Sequence, residues 1–271
     1  MAPYQTTAYR YPHEQVILFF TVALVFAVIA LTATATLCLS GLFVLVIVVI
    51  SYYSSQANHR QLLQHAYAVT PASAPAVAAL SNQCQFRLRP GPLEVFIVPS
   101  PVRNAYTFGV SGPKAVVVYS ALTNEMDESE MRFILGHEMG HVSLGHTRIN
   151  SLIGGMAGIP APLGAALLLN AAFLWWNRAC EYSADRAGLL ACGSVNKAIS
   201  ALIKLGAGPG ARSQADLDQA LMLLDKQDDS ISGLLEETLS THPLIIKRIQ
   251  NMRRYASTRA YQQIQAWMAS A

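Results

Sequence analysis

Hydrophobic positions change their rhythm twice along this chain. From Val16 to Tyr53 they form a nearly unbroken run, 38 positions without a charged residue and dominated by Val, Leu, Ile, Phe and Ala. A single helix of that length would measure about 57 Å against a hydrocarbon layer of about 30 Å, so two spans account for the run better than one. The pattern predicts helices over 16–34 and 37–53, with the turn in TATATLCLSG, where Thr, Ser and Gly41 supply the breaks. Ser54–Val69 then reads as helical, Thr70–Pro75 (TPASAP) as a linker and Ala76–Gln85 as a short helix. Next come PLEVFIVPS (Pro92–Ser100), NAYTFGV (Asn104–Val110) and KAVVVYSAL (Lys114–Leu122), short runs rich in β-branched and aromatic residues and separated by Pro and Gly. They predict a small antiparallel sheet with SGPK (Ser111–Lys114) as a hairpin turn. After Thr123 the apolar positions recur at helical spacing to the end, and no internal repeat interrupts them.

Composition agrees with a chain that only partly faces water. Charged residues make up 13% of the 271 positions, about half the share of roughly 25% usual in soluble domains. A formal charge of +3 on scattered Lys and Arg excludes a nucleic-acid surface. The four cysteines, Cys38, Cys84, Cys180 and Cys192, show no C-x-x-C pairing and read as small buried hydrophobes in a reducing compartment. The N-terminal run far exceeds the 7–15 apolar residues of a signal peptide, and Leu37 stands where a lipoprotein would need a small residue. Arg10 and Arg60 flank the run and no charge lies in its turn, so the positive-inside tendency puts both ends in the cytoplasm. The alternative is one tilted span with a periplasmic domain.

Candidate chemistry is concentrated in FILGHEMGHVSLGH (Phe133–His146). Asp127, followed three residues later by Glu130, marks a helix start. On that helix His137 and His141 are four apart, so both rings reach one ion from one face, and Glu138 sits one residue round. Zinc takes nitrogen ligands at about 2.0–2.1 Å in a tetrahedron, and an i,i+4 pair supplies two corners from a rigid backbone. Five residues alone also occur in helices that bind nothing, so a third ligand is required. His146 has the wrong offset for the long zinc-protease motif, whose third His comes six residues after the second; it reads as a histidine at the helix C-terminal dipole. Downstream, NRACEYSADRAG (Asn177–Gly188) places Glu181 and Asp185 four apart on a helix ending near Gly193, behind an apolar lead-in that argues for burial. One carboxylate would complete the metal shell and the other would hydrogen-bond a liganding imidazole from behind; the competing reading is a solvated acidic pair.

From about Val95 to Tyr255 the chain resembles the membrane gluzincin metallopeptidases of the HtpX and CAAX prenyl protease type. NAYTFG, the LGHEMGH helix, the EYSAD segment and THPLIIKRI (Thr241–Ile249) occur here in that family's order. The resemblance implies a zincin-like metalloprotease domain; with the N-terminal transmembrane hairpin and small sheet read above, the expected fold is α+β and mostly helical. The resemblance also implies one zinc per chain held by His137, His141 and Glu181, with Glu138 as general base and Asp185 behind His137. By the same resemblance His242 donates to the transition-state oxyanion, Arg248 has a structural or electrostatic part, and Asn104, Ala105 and Tyr106 belong to an edge strand that binds an extended substrate.

The expected layout is a tail (1–15), a transmembrane hairpin (16–53), a helical connector (54–90) and a peptidase domain (91–271). HtpX-type proteins carry two further spans between the histidine and acidic helices, where this chain has only the 28 residues Ile149–Trp176, broken by Gly and Pro. Two spans need about 40 residues plus a turn, so 149–176 is read as non-spanning, packed or dipped into the membrane face. The implied protein is a membrane-anchored endopeptidase for protein or peptide substrates, facing the cytoplasm from a bacterial inner membrane, in quality control or regulated cleavage. Competing readings are maturation of lipid-modified peptides and a catalytically silent zinc-stabilised scaffold or chaperone adaptor.

Overall fold

A computed structural model describes residues 4, 6–35, 39–109, 114–153, 163–206 and 245–270. Two helices, α1 (Glu14–Ala35) and α2 (Leu39–Leu63), cover the N-terminal run and touch each other. The expected turn falls at 36–38, outside the described residues. α2 does not stop at Tyr53 but continues unbroken through Arg60 to Leu63: polar residues end an apolar stretch without ending a helix, and Ser54–Leu63 holds no Gly or Pro. Among the described residues one window, Glu14–Leu31, is long and apolar enough to cross a membrane, and only 17% of it is buried. A core helix of a water-soluble fold would hide that surface, whereas here Phe19, Phe20, Phe26 and Leu31 are exposed.

After a two-residue strand β1 (Tyr67–Ala68) and helix α3 (Pro75–Leu88), the apolar runs become β2 (Leu93–Val98), β3 (Ala105–Phe108) and β4 (Lys114–Tyr119). The sheet order is β1-β2-β4-β3. β3 and β4 are antiparallel, but β4 inserts between β2 and β3 and runs parallel to β2. The sheet is therefore mixed, which corrects the expected antiparallel one. The reason lies in β4: Ala115, Val116, Val117 and Val118 are all buried, on both faces, as a central strand requires.

Helices complete the fold: α4 (Ser120–Glu125), α5 (Glu128–Leu144), α6 (His146–Ile153), α7 (Leu163–Cys192), α8 (Val195–Gly206), α9 (Ile245–Ala256) and α10 (Arg259–Ser270). α5 begins with the expected reciprocal cap. Asp127 Oδ1 accepts from the Ser129 and Glu130 amides, both at 2.9 Å, and Glu130 Oε2 accepts from the Asp127 amide at 2.8 Å. It ends at Gly145, whose φ of 81° is open to glycine at little cost.

α5 packs along α7, and the contact is unusually close. A Cβ on Gly140 would stand 2.6 Å from Ala187 Cβ, one on Gly188 would stand 2.8 Å from the Phe133 carbonyl oxygen, and one on Gly136 would collide with Ala191. Gly136, Gly140, Ala184, Ala187, Gly188 and Ala191 thus form a seam of small residues that lets the two backbones approach. The 30 residues of α7 make a rod of about 45 Å. Its second half lies in this seam; its first half runs antiparallel beside α1. The Tyr11 amide donates to Ser183 Oγ at 2.8 Å, and ten residues further along α1 the Thr21 hydroxyl donates to the Ala172 carbonyl at 3.2 Å. Cys84, Cys180 and Cys192 are buried and unpaired.

Candidate metal centre

The α5–α7 seam sets the site. Gly136 and Gly140 immediately precede His137 and His141, so the histidines stand at the margin of the tightest contact, facing Glu181 across it. His137 Nε2 and His141 Nε2 are 3.3 Å apart; Glu181 Oε2 is 3.5 Å from the former and Oε1 is 3.4 Å from the latter. Two bonds of 2.0–2.1 Å meeting at the tetrahedral angle separate their donor atoms by about 3.3–3.4 Å. The three residues therefore fit a divalent ion such as zinc in both donor type and spacing, and they group together within 4.8 Å.

Behind the donors the charges are ordered. His137 Nδ1 lies 3.1 Å from Asp185 Oδ1. Arg248, on α9, grips both oxygens of that carboxylate, donating from Nε to Oδ2 at 2.8 Å and from Nη2 to Oδ1 at 2.6 Å, and its Nη1 reaches Glu181 Oε2 at 3.1 Å. Burial opposes ionisation of both carboxyls, but the Arg248 guanidinium, with the two imidazoles, outweighs it and holds Glu181 well below the usual carboxylate range and Asp185 below it too. Burial also disfavours a charged His141, yet Glu181 and Glu138 raise its affinity for a proton. Three carboxylates against one guanidinium give the site an acidic surplus that would suit a divalent cation.

Glu138 is buried on α5, and its carboxylate accepts a hydrogen bond from the Thr107 hydroxyl on β3. Sequence reasoning stopped one residue short of Thr107, although strand alternation from Ala105 puts both on one face. Tyr106 lies on the opposite face, its ring 5.8 Å from that of Phe108. The Asn104 carbonyl accepts from the Tyr119 amide at 3.0 Å. β3 pairs with β4 on one side, and among the described residues no strand occupies the other. His242 lies outside the described residues.

His146 is not one of the three donors, nor is it a charged histidine at a helix end. It opens α6, is 1% exposed, and burial pushes its pKa down to about 4, leaving it neutral at pH 7. Its Nδ1 lies 3.0 Å from His141 Nδ1.

The chain is similar to known metallopeptidases. The chain is 30% identical over 186 residues to the chloroplastic plastoglobule-localized metallopeptidase 48 of Arabidopsis thaliana, over 63% of this chain and 54% of that one. It is 27% identical over 252 residues to a protease HtpX homolog of Moorella thermoacetica, over 78% and 82% of the two chains. It thus spans only about half of the Arabidopsis protein but most of the bacterial one. In fold it is similar to the crystal structure of S. mikatae Ste24p, with a TM-score of 0.51 at 15% identity over 89% of this chain and 65% of that one. The model of peptidase family M48 matches residues 74–172 and 161–256, two overlapping stretches that take in β2–β4, the α5–α7 seam and α9, and the chain belongs to that family.

Proposed function

We propose that the protein is a membrane-anchored zinc endopeptidase, with His137, His141 and Glu181 as ligands and Glu138 as general base. The observation that carries this reading is the facing of three donor side chains at 3.3–3.5 Å across the α5–α7 seam, beside the buried Glu138 carboxylate on α5. The chemistry a bound zinc supplies is a polarised carbonyl and a water whose pKa is brought toward neutrality. Glu138 would accept a proton from the attacking water and pass it to the leaving amine, with Thr107 holding the carboxylate in orientation. Asp185 fixes the tautomer of His137 and Arg248 holds Asp185. An extended peptide adds to the open edge of β3 at Ala105–Thr107, with Asn104 and Tyr106 flanking it, and His242 donates to the developing oxyanion. A site built only for structure closes its fourth position and needs no base, so the silent-scaffold reading has no use for the buried Glu138.

The domain layout we favour keeps 16–53 as a membrane hairpin, 54–90 as connector and 91–271 as peptidase domain, facing the cytoplasm from a bacterial inner membrane and cutting membrane proteins in quality control or regulated proteolysis. Leu167, Leu168 and Trp175 are exposed on the half of α7 that runs beside α1, which supports membrane contact for the later part of 149–176. Impermeant labelling of single cysteines at positions 8, 36, 158 and 270 tests the layout. Reaction from outside at 36 alone fits the hairpin with a dipping 149–176; reaction at 36 and 158 means that this segment crosses, and reaction at 158 and 270 with 8 protected means one span and a periplasmic peptidase. The activity test is zinc content together with casein hydrolysis in detergent. Wild type should carry one zinc and cleave, Glu138→Gln should carry zinc and not cleave, and Glu181→Ala should lose both. Zinc retained by Glu181→Ala overturns the ligand set, and cleavage by Glu138→Gln overturns the base.

A further inference from the structure

Two fully buried polar side chains near the metal centre have no part in the reaction just described. Glu14, the first residue of α1, and His146, the first residue of α6, are each 1% exposed. They stand in line with a ligand. Glu14 Oε1 is 3.1 Å from His146 Nε2, a contact bent away from the N–H direction, and His146 Nδ1 is 3.0 Å from His141 Nδ1. His141 turns its remaining nitrogen, Nε2, toward His137 and Glu181.

One condition fixes every proton in this line. A ring nitrogen that faces a cation carries no proton, so with an ion in place His141 is protonated at Nδ1 and donates from there. His146 must then accept at Nδ1, which leaves its single proton on Nε2, the nitrogen that faces the Glu14 carboxylate. Glu14 is itself fixed from other sides by Arg10 and by the Ser183 hydroxyl of α7. The reverse assignment fails, because two protonated Nδ1 atoms cannot sit 3.0 Å apart without repulsion.

We infer that Glu14 and His146 are positioning residues of the metal centre: α1 supplies a carboxylate that acts through His146 to fix the tautomer and ring plane of His141. The inference rests on the ligand reading above. It makes the two histidine ligands symmetrical in support, since His137 is backed by Asp185 and His141 by the His146–Glu14 pair. The difference is where the support originates. Asp185 shares a helix with ligand Glu181, whereas Glu14 belongs to the helix that carries the candidate membrane span, so the centre is complete only when α1 is docked on α6 and α7.

The test is zinc affinity of the full chain in detergent, measured by competition with a chromophoric chelator, together with the visible absorption of the cobalt-loaded protein, which reports ligand geometry. His146→Leu should weaken zinc binding by about 10–100-fold, the usual cost of removing a partner behind a liganding histidine. His146→Asn, whose side-chain oxygen can accept from His141, should recover most of it. Glu14→Met should weaken binding and Glu14→Gln, which keeps an acceptor, should weaken it less. The signature of action in series is that Glu14→Met combined with His146→Leu binds zinc no worse than His146→Leu alone. Wild-type affinity in His146→Leu, or losses that multiply in the double variant, overturns the inference. If His146→Leu does not fold, the Glu14 pair decides: equal affinity and an unshifted cobalt spectrum in Glu14→Met, Glu14→Gln and wild type also overturn it. Glu181→Ala in the same assay keeps the two readings separate, because zinc retained there would count against the ligand set and not against the relay.

Discussion

The small-residue seam makes a quantitative demand on Gly140. Its replacement by Ala places a methyl 2.6 Å from Ala187 Cβ and 3.2 Å from Ala184 Cα, where carbon atoms settle at about 3.5–4.0 Å. The helices must part by about 1 Å to admit it. Overpacking of this kind costs about 1–3 kcal/mol, and the better helix propensity of Ala returns about 1 kcal/mol, so the net loss of fold stability is only about 0–2 kcal/mol. The metal centre suffers more. Glu181 lies 3.4–3.5 Å from the two imidazole nitrogens; displaced by a further ångström it exceeds the about 4.2 Å that two 2.1 Å bonds span even in a straight line.

Gly140→Ala should therefore fold, melt slightly lower and bind zinc at least about tenfold more weakly, the lower end of what disturbing a ligand's support costs. Thermal unfolding in chelator, set beside a zinc competition titration, reads the two effects apart. Gly193→Ala is the control. Its φ of 75° disfavours Ala, but the nearest side-chain atoms are 3.9 Å away, so it should lose about 1–2 kcal/mol and keep its zinc affinity. Combining Gly140→Ala with Ala187→Gly removes the nearest clashing atom and should restore binding despite the second glycine. Wild-type zinc affinity in Gly140→Ala, or no recovery in the combined variant, would refute the idea that helix spacing sets ligand spacing.

Three other outcomes follow from the same contacts. Thr107→Val leaves the Glu138 carboxylate without its hydroxyl partner, and a hydrogen bond to a charged group is worth about 1.5–3 kcal/mol; casein hydrolysis should fall roughly tenfold or more at unchanged zinc content, and full activity would remove Thr107 from the site. Arg248→Gln strands the buried Asp185 and the partly buried Glu181 and should destabilise the metal-free protein by about 3–5 kcal/mol, less so when zinc is loaded, as read by thermal unfolding with and without chelator. Asp127 is held below the ordinary carboxylate range: slight burial opposes its ionisation, but Lys197 and the Glu130 and Ser129 amides outweigh it. Its capping contribution, about 1 kcal/mol against Asp127→Ala, is then complete above the ordinary carboxylate pKa and fades as pH falls below that value through the lower folded one. A difference between the two proteins that grows on acidification would contradict that sign.

How much could be read in advance depended on whether the relevant partner was local. The start of α5 was legible because Asp127 and Glu130 cap each other within one turn. His137, His141, Glu181 and Asp185 stood out as candidates because each pair is four apart on its own helix, but spacing left open which carboxylate faces the ion. Strand order was not, since β2, β3 and β4 follow one another in sequence while β4 inserts between the other two; the unbroken Ala115–Val118 run was the available sign of a central strand. The end of α2 was missed because the helical reading of Ser54–Val69 runs past Leu63, where the helix stops, into Tyr67–Ala68, which pair as β1. Gly136 and Gly140 sit inside the LGHEMGH motif, and their packing role appears only when Ala184, Ala187 and Ala191 lie opposite. No spacing rule joins Glu14 to His146 across nearly half the chain.

The site is best understood as the meeting of two rigid surfaces. An i,i+4 pair fixes two donors to within the stiffness of one helix, and neither α5 nor α7 can hold an ion alone: α5 offers two nitrogens and α7 one carboxylate. What remains to be specified is the distance and rotation between the helices, and side chains larger than methyl in the seam would set that distance too wide. Glycine in the middle of a helix costs about 1 kcal/mol relative to alanine, and this chain places two on α5 and one on α7 at the contact. That expenditure is local instability accepted in exchange for donor atoms 3.3–3.5 Å apart. Between α6 and α7 the chain supplies none of these donor atoms, so the length there is free in a way that the seam is not. Lengthening 154–162 with glycine and serine should therefore leave zinc affinity within about threefold of wild type, a loop-closure effect of well under 1 kcal/mol, whereas one methyl at position 140 should not.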